Sequence, residues 1–265
     1  MYTYRQTTEL VKALFLFLLV SFNMTFVYSQ TAQAVRKSFR ILVLAENGGH
    51  HIKFTQAAKP WLNQLAKENQ FVIDYIEKTD VIDSAYLSNY QLFLQLDYPP
   101  YGWPEKAAKA FENYINNGKG GWIGLHHATL LGEFDGYPMW IWFSNFMGGI
   151  RFKNYIPTFA DGQVSNEETT HPVMKNLPQH FVIEREEWYT YDKTPRSKVN
   201  VLASVNENTY KPDSEIKMGD HPVIWTNPSV RARNVYIFMG HSPDLLGNPY
   251  FTTILKNAIF WAAAK

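Results

Sequence analysis

Histidines follow short apolar runs at three separate places in this chain. His50 and His51 come after Phe39-Arg40-Ile41-Leu42-Val43-Leu44-Ala45, His126 and His127 after Gly120-Gly121-Trp122-Ile123-Gly124-Leu125, and His241 after the run 235–239. An imidazole titrates near neutral pH, so several around one pocket can divide acid and base roles or ligate a metal ion. A carboxylate would complete either arrangement, and Ile183-Glu184-Arg185-Glu186-Glu187-Trp188-Tyr189 offers one. Strand alternation sends Glu187 to the face opposite Glu186. Glu187 is therefore expected in the site, while Glu184 and Glu186 read as acids pairing with Arg185 on a solvated strand. The expected catalytic set is His51, His126, Glu187 and His241, with His171 added from the loop Glu167-Glu168-Thr169-Thr170-His171-Pro172-Val173. A loop histidine ahead of proline reads equally well as a turn residue with a local hydrogen bond. His180 and His221 are left out on topology, because each stands at the expected start of a strand and so would face the wrong end of a parallel sheet.

The same four residues, His51, His126, His241 and Glu187, are the set that could hold a divalent metal such as zinc or manganese. Ligands spread this far along a chain form no diagnostic motif. Tyr98, Tyr101 and Trp103 lie in the loop Asp97-Tyr98-Pro99-Pro100-Tyr101-Gly102-Trp103 with no evident core to join, so they are expected to contact substrate together with His127. Trp140, Trp142, Phe143 and Phe146 have the spacing of a buried helix instead.

Strands and helices must bring these residues together. The first, third and fourth apolar runs are short and nearly continuous, as buried parallel strands are, and residues just beyond the carboxyl ends of such strands bind ligands in open α/β sheets. Phe54, Ala57, Ala58, Trp61, Leu62 and Leu65 recur at helical spacing, and Pro60 implies a helix beginning only a turn or so earlier. A second strand, Phe71 to Ile76, and a helix carrying Ala107, Ala108, Phe111, Tyr114 and Ile115 with Gly118 as its left-handed stop complete a strand-helix alternation. That order predicts a parallel sheet with helices on both faces. Later strands are expected near 157–159, 180–183, 199–205, 222–225 and 235–239, with insertions or antiparallel members. Asn248 is the expected N-cap and Pro249 the first residue of a terminal helix.

The 265 residues carry a net charge of +1 and no cysteine. A balanced charge excludes the basic excess that nucleic acid or an anionic membrane would favour. The absence of cysteine removes disulfides, thiolate metal sites, a lipidated cysteine and any thiol nucleophile. Arg5 and Lys12 precede the apolar run Ala13-Leu14-Phe15-Leu16-Phe17-Leu18-Leu19-Val20, which reads as an export signal over residues 1–29 with cleavage before Gln30. An uncleaved anchor is the alternative. A linker over 30–38 and one α/β domain over 39–265 follow, placing the mature protein in a periplasm or outside the cell, with no membrane partner once the signal is removed. Homo-oligomerisation is left open.

Taken together, Gly124-Leu125-His126-His127-Ala128, Thr170-His171-Pro172, Glu187-Trp188-Tyr189, Pro222-Val223-Ile224-Trp225 and Gly240-His241 resemble the trehalose-utilisation, or ThuA-like, family across about residues 39 to 264. The resemblance implies a flavodoxin-like three-layer α/β sandwich with a mostly parallel central sheet, related to class I glutamine amidotransferases. In those enzymes a cysteine occupies the turn that here holds His126, so thiol-dependent glutaminase chemistry is excluded. His51, His126, His171, Glu187 and His241 match the family's recurrent polar positions. The segment Gly148-Gly149-Ile150-Arg151-Phe152-Lys153-Asn154-Tyr155 departs from it, lacking a histidine that many relatives carry. The implied substrate is a small carbohydrate: a disaccharide, glycoside or keto-sugar derivative. Three functions compete: an enzyme using histidine and glutamate acid-base chemistry, a metal-dependent hydrolase, and a non-catalytic sugar-binding protein.

Overall fold

The structure, a computed structural model, describes residues 38–264. The expected export signal, and the linker up to residue 37, lie outside the described residues. Five strands form the parallel half of a nine-stranded sheet, in the order β2 (Val72–Ile76), β1 (Arg40–Ala45), β3 (Leu92–Leu96), β4 (Gly121–Leu125) and β11 (Asn234–Ile237). This is the flavodoxin-like order, with the fifth place taken by a strand from far along the chain. Both faces of this half are covered, which is why β3 and β4 are buried throughout and, apart from Gln95 and the glycines, apolar.

Helix α1 (Ile52–Asn69) and helix α5 (Pro249–Ala263) lie on one face, where Phe54 meets Phe251 at 6.1 Å between ring centroids. On the other, α2 (Ser84–Leu87) packs with α3 (Glu105–Asn116). There Phe111 stacks on Phe143 of α4 (Ile141–Phe146) at 5.8 Å, and Trp122 meets Phe143 at 5.9 Å. Each such ring contributes about 1.5–3 kcal/mol of burial relative to exposure.

The sheet is widened by antiparallel strands, in the order β10 (Pro222–Thr226), β9 (Asn200–Lys211), β6 (Ala160–Asn166) and β7 (His180–Glu186). A separate ribbon pairs β5 (Phe152–Tyr155) with β8 (Tyr189–Tyr191). The strand expected at 157–159 is instead the connection between β5 and β6; Pro157 supplies no backbone donor for a ladder there.

The terminal helix starts as expected: Asn248 Oδ1 accepts from the backbone N–H of Tyr250 at 3.0 Å and of Phe251 at 3.2 Å, with Pro249 inside. Gly118, at φ +63°, ends α3 one residue beyond Asn117. Helix α1, by contrast, runs two turns before Pro60 rather than one. The bond Pro60 forfeits is to the carbonyl of Gln56, and both residues are exposed, so water can satisfy that oxygen.

Candidate functional site

Four loops that follow strands each deliver a side chain to one point beyond the carboxyl ends of β1, β3, β4 and β11. His51 is the N-cap residue of α1, directly after the β1 loop. His126 opens a short 3-10 turn, His126–Thr129, with its backbone at φ +33°. A β-substituted residue there costs on the order of 1–2 kcal/mol. The turn is pinned from below: the Tyr236 hydroxyl donates to the His126 carbonyl at 3.0 Å, and Thr129 Oγ1 lies 2.7 Å from the Tyr191 hydroxyl and 2.6 Å from that of Tyr236. His241 follows β11, and Glu187 stands between β7 and β8.

Their ligating atoms converge. One nitrogen or oxygen from each of His51, His126, Glu187 and His241 lies within 4.8 Å of all the others. His51 Nε2 is 2.9 Å from His241 Nδ1, which is 3.0 Å from Glu187 Oε2. His126 Nε2 is 3.4 Å from the same carboxylate oxygen. The other nitrogen of His126 donates to the Phe238 carbonyl at 3.0 Å, which fixes the tautomer and turns the Nε2 lone pair inward. Burial pushes His126 down to about 4 and His51 down to about 2, so both are neutral at pH 7. The N-terminus of α1 adds to this for His51, since its dipole disfavours a cation. Burial alone would raise Glu187, but its contacts with the His126 and His241 rings outweigh it and hold the carboxyl well below its usual range. A neutral His126 therefore points a lone pair at a carboxylate, and the single inward proton, on His241, serves both His51 and Glu187. Four donors facing one point with one proton among them is an arrangement completed by a cation, and the carbonyl behind His126 is the outer partner that metal-bound histidines take.

Glu186, set aside in the sequence as solvated, is fully buried beside the cluster. The cause is a bulge: Ala160 pairs with Glu186 and Gly162 with Ile183, so β7 spends one extra residue, and Arg185 takes φ +52°. Alternation is lost there, and Glu186 and Glu187 both reach the site. Glu186 accepts from the backbone N–H of Gly240 and His241, each at 3.2 Å, and so fixes the loop that carries His241. Burial outweighs those bonds and raises its carboxyl to about 8. Asp97 follows β3 at φ +52°, fully buried, with both carboxyl oxygens unpaired. Burial, with Glu186 and Glu46 nearby, raises it well above the usual range, so it is held neutral. A Cβ on Gly240 would fall 2.6 Å from Asp97 Oδ1 and 2.8 Å from His126 Cβ, which explains glycine at that position.

Glu46 was also missed. It follows β1, and its Oε2 lies 3.4 Å from His51 Nδ1 and 3.2 Å from His127 Nδ1. Its place beside the two-histidine loop was the available signal. His127 thus belongs to the cluster's rim, its ring 3.7 Å from that of His51.

Other expectations are corrected. His171 follows β6, which runs against the parallel strands, so it lies at their amino ends. There its Nδ1 accepts from Val173 N–H at 3.2 Å and its ring packs on Trp261 at 4.7 Å, the turn role rather than the catalytic one. His221 was excluded for a reason that does not hold, because β10 is antiparallel and begins at the site's end of the sheet. It is nonetheless engaged elsewhere, 3.0 Å from Glu207 Oε1. Trp103 does have a core to join: it packs on Phe93, Phe111 and Trp140, with its indole N–H on the Pro99 carbonyl at 3.1 Å. Tyr101 pairs with Tyr137 at 6.2 Å and Phe134 at 5.6 Å, and half-exposed Tyr137 leaves part of this aromatic group open to solvent. Tyr98 is part-buried, packed edge-on against Trp103 at 6.2 Å.

Comparison with known proteins agrees with this architecture. A ThuA-like protein from Bacteroides uniformis is 29% identical, with a TM-score of 0.75 over 85% of this chain and 92% of that one. A ThuA-like protein from Parabacteroides merdae, 19% identical, shares the fold with a TM-score of 0.64 over 86% of this chain and 91% of that one. No curated protein sequence matches significantly. The model of the family described as trehalose utilisation, ThuA, matches residues 40–262 and supports a carbohydrate-related role. With that match spanning nearly all the described residues, on a flavodoxin-like sheet, this chain belongs to the ThuA family.

Proposed function

We propose that this protein is an exported enzyme acting on a disaccharide, glycoside or keto-sugar derivative at a divalent metal, zinc or manganese, held by His51, His126, His241 and Glu187. The observation that carries this reading is the convergence of those four donors within 4.8 Å, one of them an inward-turned lone pair on His126. Such a metal supplies Lewis-acid polarisation of a sugar carbonyl or hydroxyl, or of water. The chain's own groups do the positioning. The Phe238 carbonyl orients His126, Glu186 fixes the His241 loop, and Asp97 and Glu186 as neutral acids keep the floor of the site from adding negative charge. The Tyr101 and Tyr137 rings offer a face on which a second sugar ring can stack. The carbohydrate class rests on family membership.

A second reading is favoured by a specific observation. Glu187, His241 and His51 are linked by steps of 3.0 and 2.9 Å and Glu46 and His127 by one of 3.2 Å, and a small rotation of the Glu46 carboxylate, 3.4 Å from the unpaired His51 Nδ1, would join them in one chain. Such a chain could move protons without a metal, as histidine-based elimination or isomerisation of a keto-sugar would need. Metal analysis of untagged protein separates the two. Stoichiometric zinc or manganese, lost in Glu187→Gln, supports the metal reading; metal-free protein that turns over substrate supports the proton chain.

A further inference from the structure

Glu46, His51 and His127 form a second group beside the first, and His51 belongs to both. One donor from each of the three falls within 4.8 Å of the others. His51 directs Nε2 toward His241, while Nδ1 points the other way, 3.4 Å from Glu46 Oε2. Although His51 is only 2% exposed, that Nδ1 makes no hydrogen bond; the nearby carboxylate is too poorly aligned to accept one. A buried donor left unpaired costs about 1–3 kcal/mol, so its orientation needs a reason. His127 Nδ1 reaches the same Glu46 oxygen at 3.2 Å. Two donors on a tetrahedral zinc, each about 2.0–2.1 Å from it, sit about 3.3 Å apart, and both of these separations match.

We propose that Glu46, His51 and His127 bind a second divalent cation, and that His51 bridges it to the first through its two ring nitrogens. The inference rests on the metal reading for the shared His51 but adds a site of its own. Bridging uses both nitrogens, so His51 gives up its remaining N–H proton to solvent when the second cation binds, a loss that two cations on one ring favour. Glu46 and His127 lie nearer the surface than His126, with side chains 20% and 13% exposed against 0%. The second cation would lie on the Nδ1 side of His51, opposite the Nε2 that faces His241, and on that account is the outer one. Two cations in one site suit a substrate that presents two oxygens, such as a vicinal hydroxyl and carbonyl of a keto-sugar.

The test is zinc binding by untagged, chelator-stripped protein, with bound zinc counted after desalting and released protons measured alongside. Wild type is expected to hold two equivalents. Glu46→Gln and His127→Ala should each hold one and release fewer protons, while His241→Ala should keep one at the outer site. Glu46→Gln is close to isosteric, and circular dichroism confirms that the variants compared are folded. One equivalent in wild type, unaffected by Glu46→Gln or His127→Ala, would overturn the second site and leave the first standing. No bound zinc in wild type would overturn both.

Discussion

Glu186 and Asp97 lie under the histidines as buried acids, and their protonation has a measurable consequence. The Glu186 carboxyl is raised by burial from its ordinary 4.5 to about 8. Between those values the folded chain keeps a proton that the unfolded chain releases, so stability is full below 4.5 and falls as pH rises toward 8, by up to ~1.4 kcal/mol per pH unit. Urea unfolding of metal-stripped protein at pH 5 and pH 8 should show this loss, and Glu186→Gln should reduce it; an unchanged slope would show that Glu186 ionises freely. His126→Ala should cut turnover by about 100-fold or more with circular dichroism unchanged. A variant with near-normal turnover would remove His126 from the chemistry. Part of this site was legible in the sequence because histidine and glutamate types, placed after apolar runs, carry their chemistry with them. The part that was not legible depends on backbone detail. A bulge at Arg185 turned Glu186 inward against the expected alternation, and Asp97 sits in an aromatic loop whose tyrosines drew the reading toward sugar contact.

Elements position these residues through close approaches between loops. The turn after β4 and the loop after β11 meet at Gly240, where an added Cβ would strike Asp97 and His126. Gly240→Ala should therefore cost about 1–3 kcal/mol of stability and lower metal content, measured by urea midpoint and elemental analysis. Asn248→Ala offers a contrast, because it removes the cap of α5 and a bond from Asn248 Nδ2 to the Val182 carbonyl at 3.1 Å, neither of which involves a metal donor. It should cost about 1–2 kcal/mol and leave metal content unchanged. The cap was readable from Asn248-Pro249 because capping is local. The orientation of β10 was not, since it depends on pairing with β9 and β11, and so the argument that excluded His221 failed although the residue is indeed occupied by Glu207. His171 failed for the same reason: its place was set by the direction of β6, which a local pattern does not contain.

At the scale of the whole molecule, the parallel half of the sheet was legible because continuous apolar strands alternating with amphipathic helices permit few arrangements. The antiparallel half was visible only as irregular short runs, yet it delivers both glutamates to the site. Among the described residues no helix is long and apolar enough to cross a membrane. The export reading rests on the sequence alone, and protein recovered from the periplasm or medium of a producing bacterium should begin at Gln30. The measurement that bears most directly on the metal-dependent carbohydrate enzyme is turnover, followed by proton NMR, of glucose disaccharides and their keto derivatives. It would use untagged protein from Gln30 onward, chelator-stripped and then reconstituted with zinc or manganese. Product formation by the reconstituted protein, and none by the stripped protein or by folded Glu187→Gln, is the result expected. Equal turnover with and without metal, or none under any condition with sugar binding intact in His126→Ala, would contradict the account.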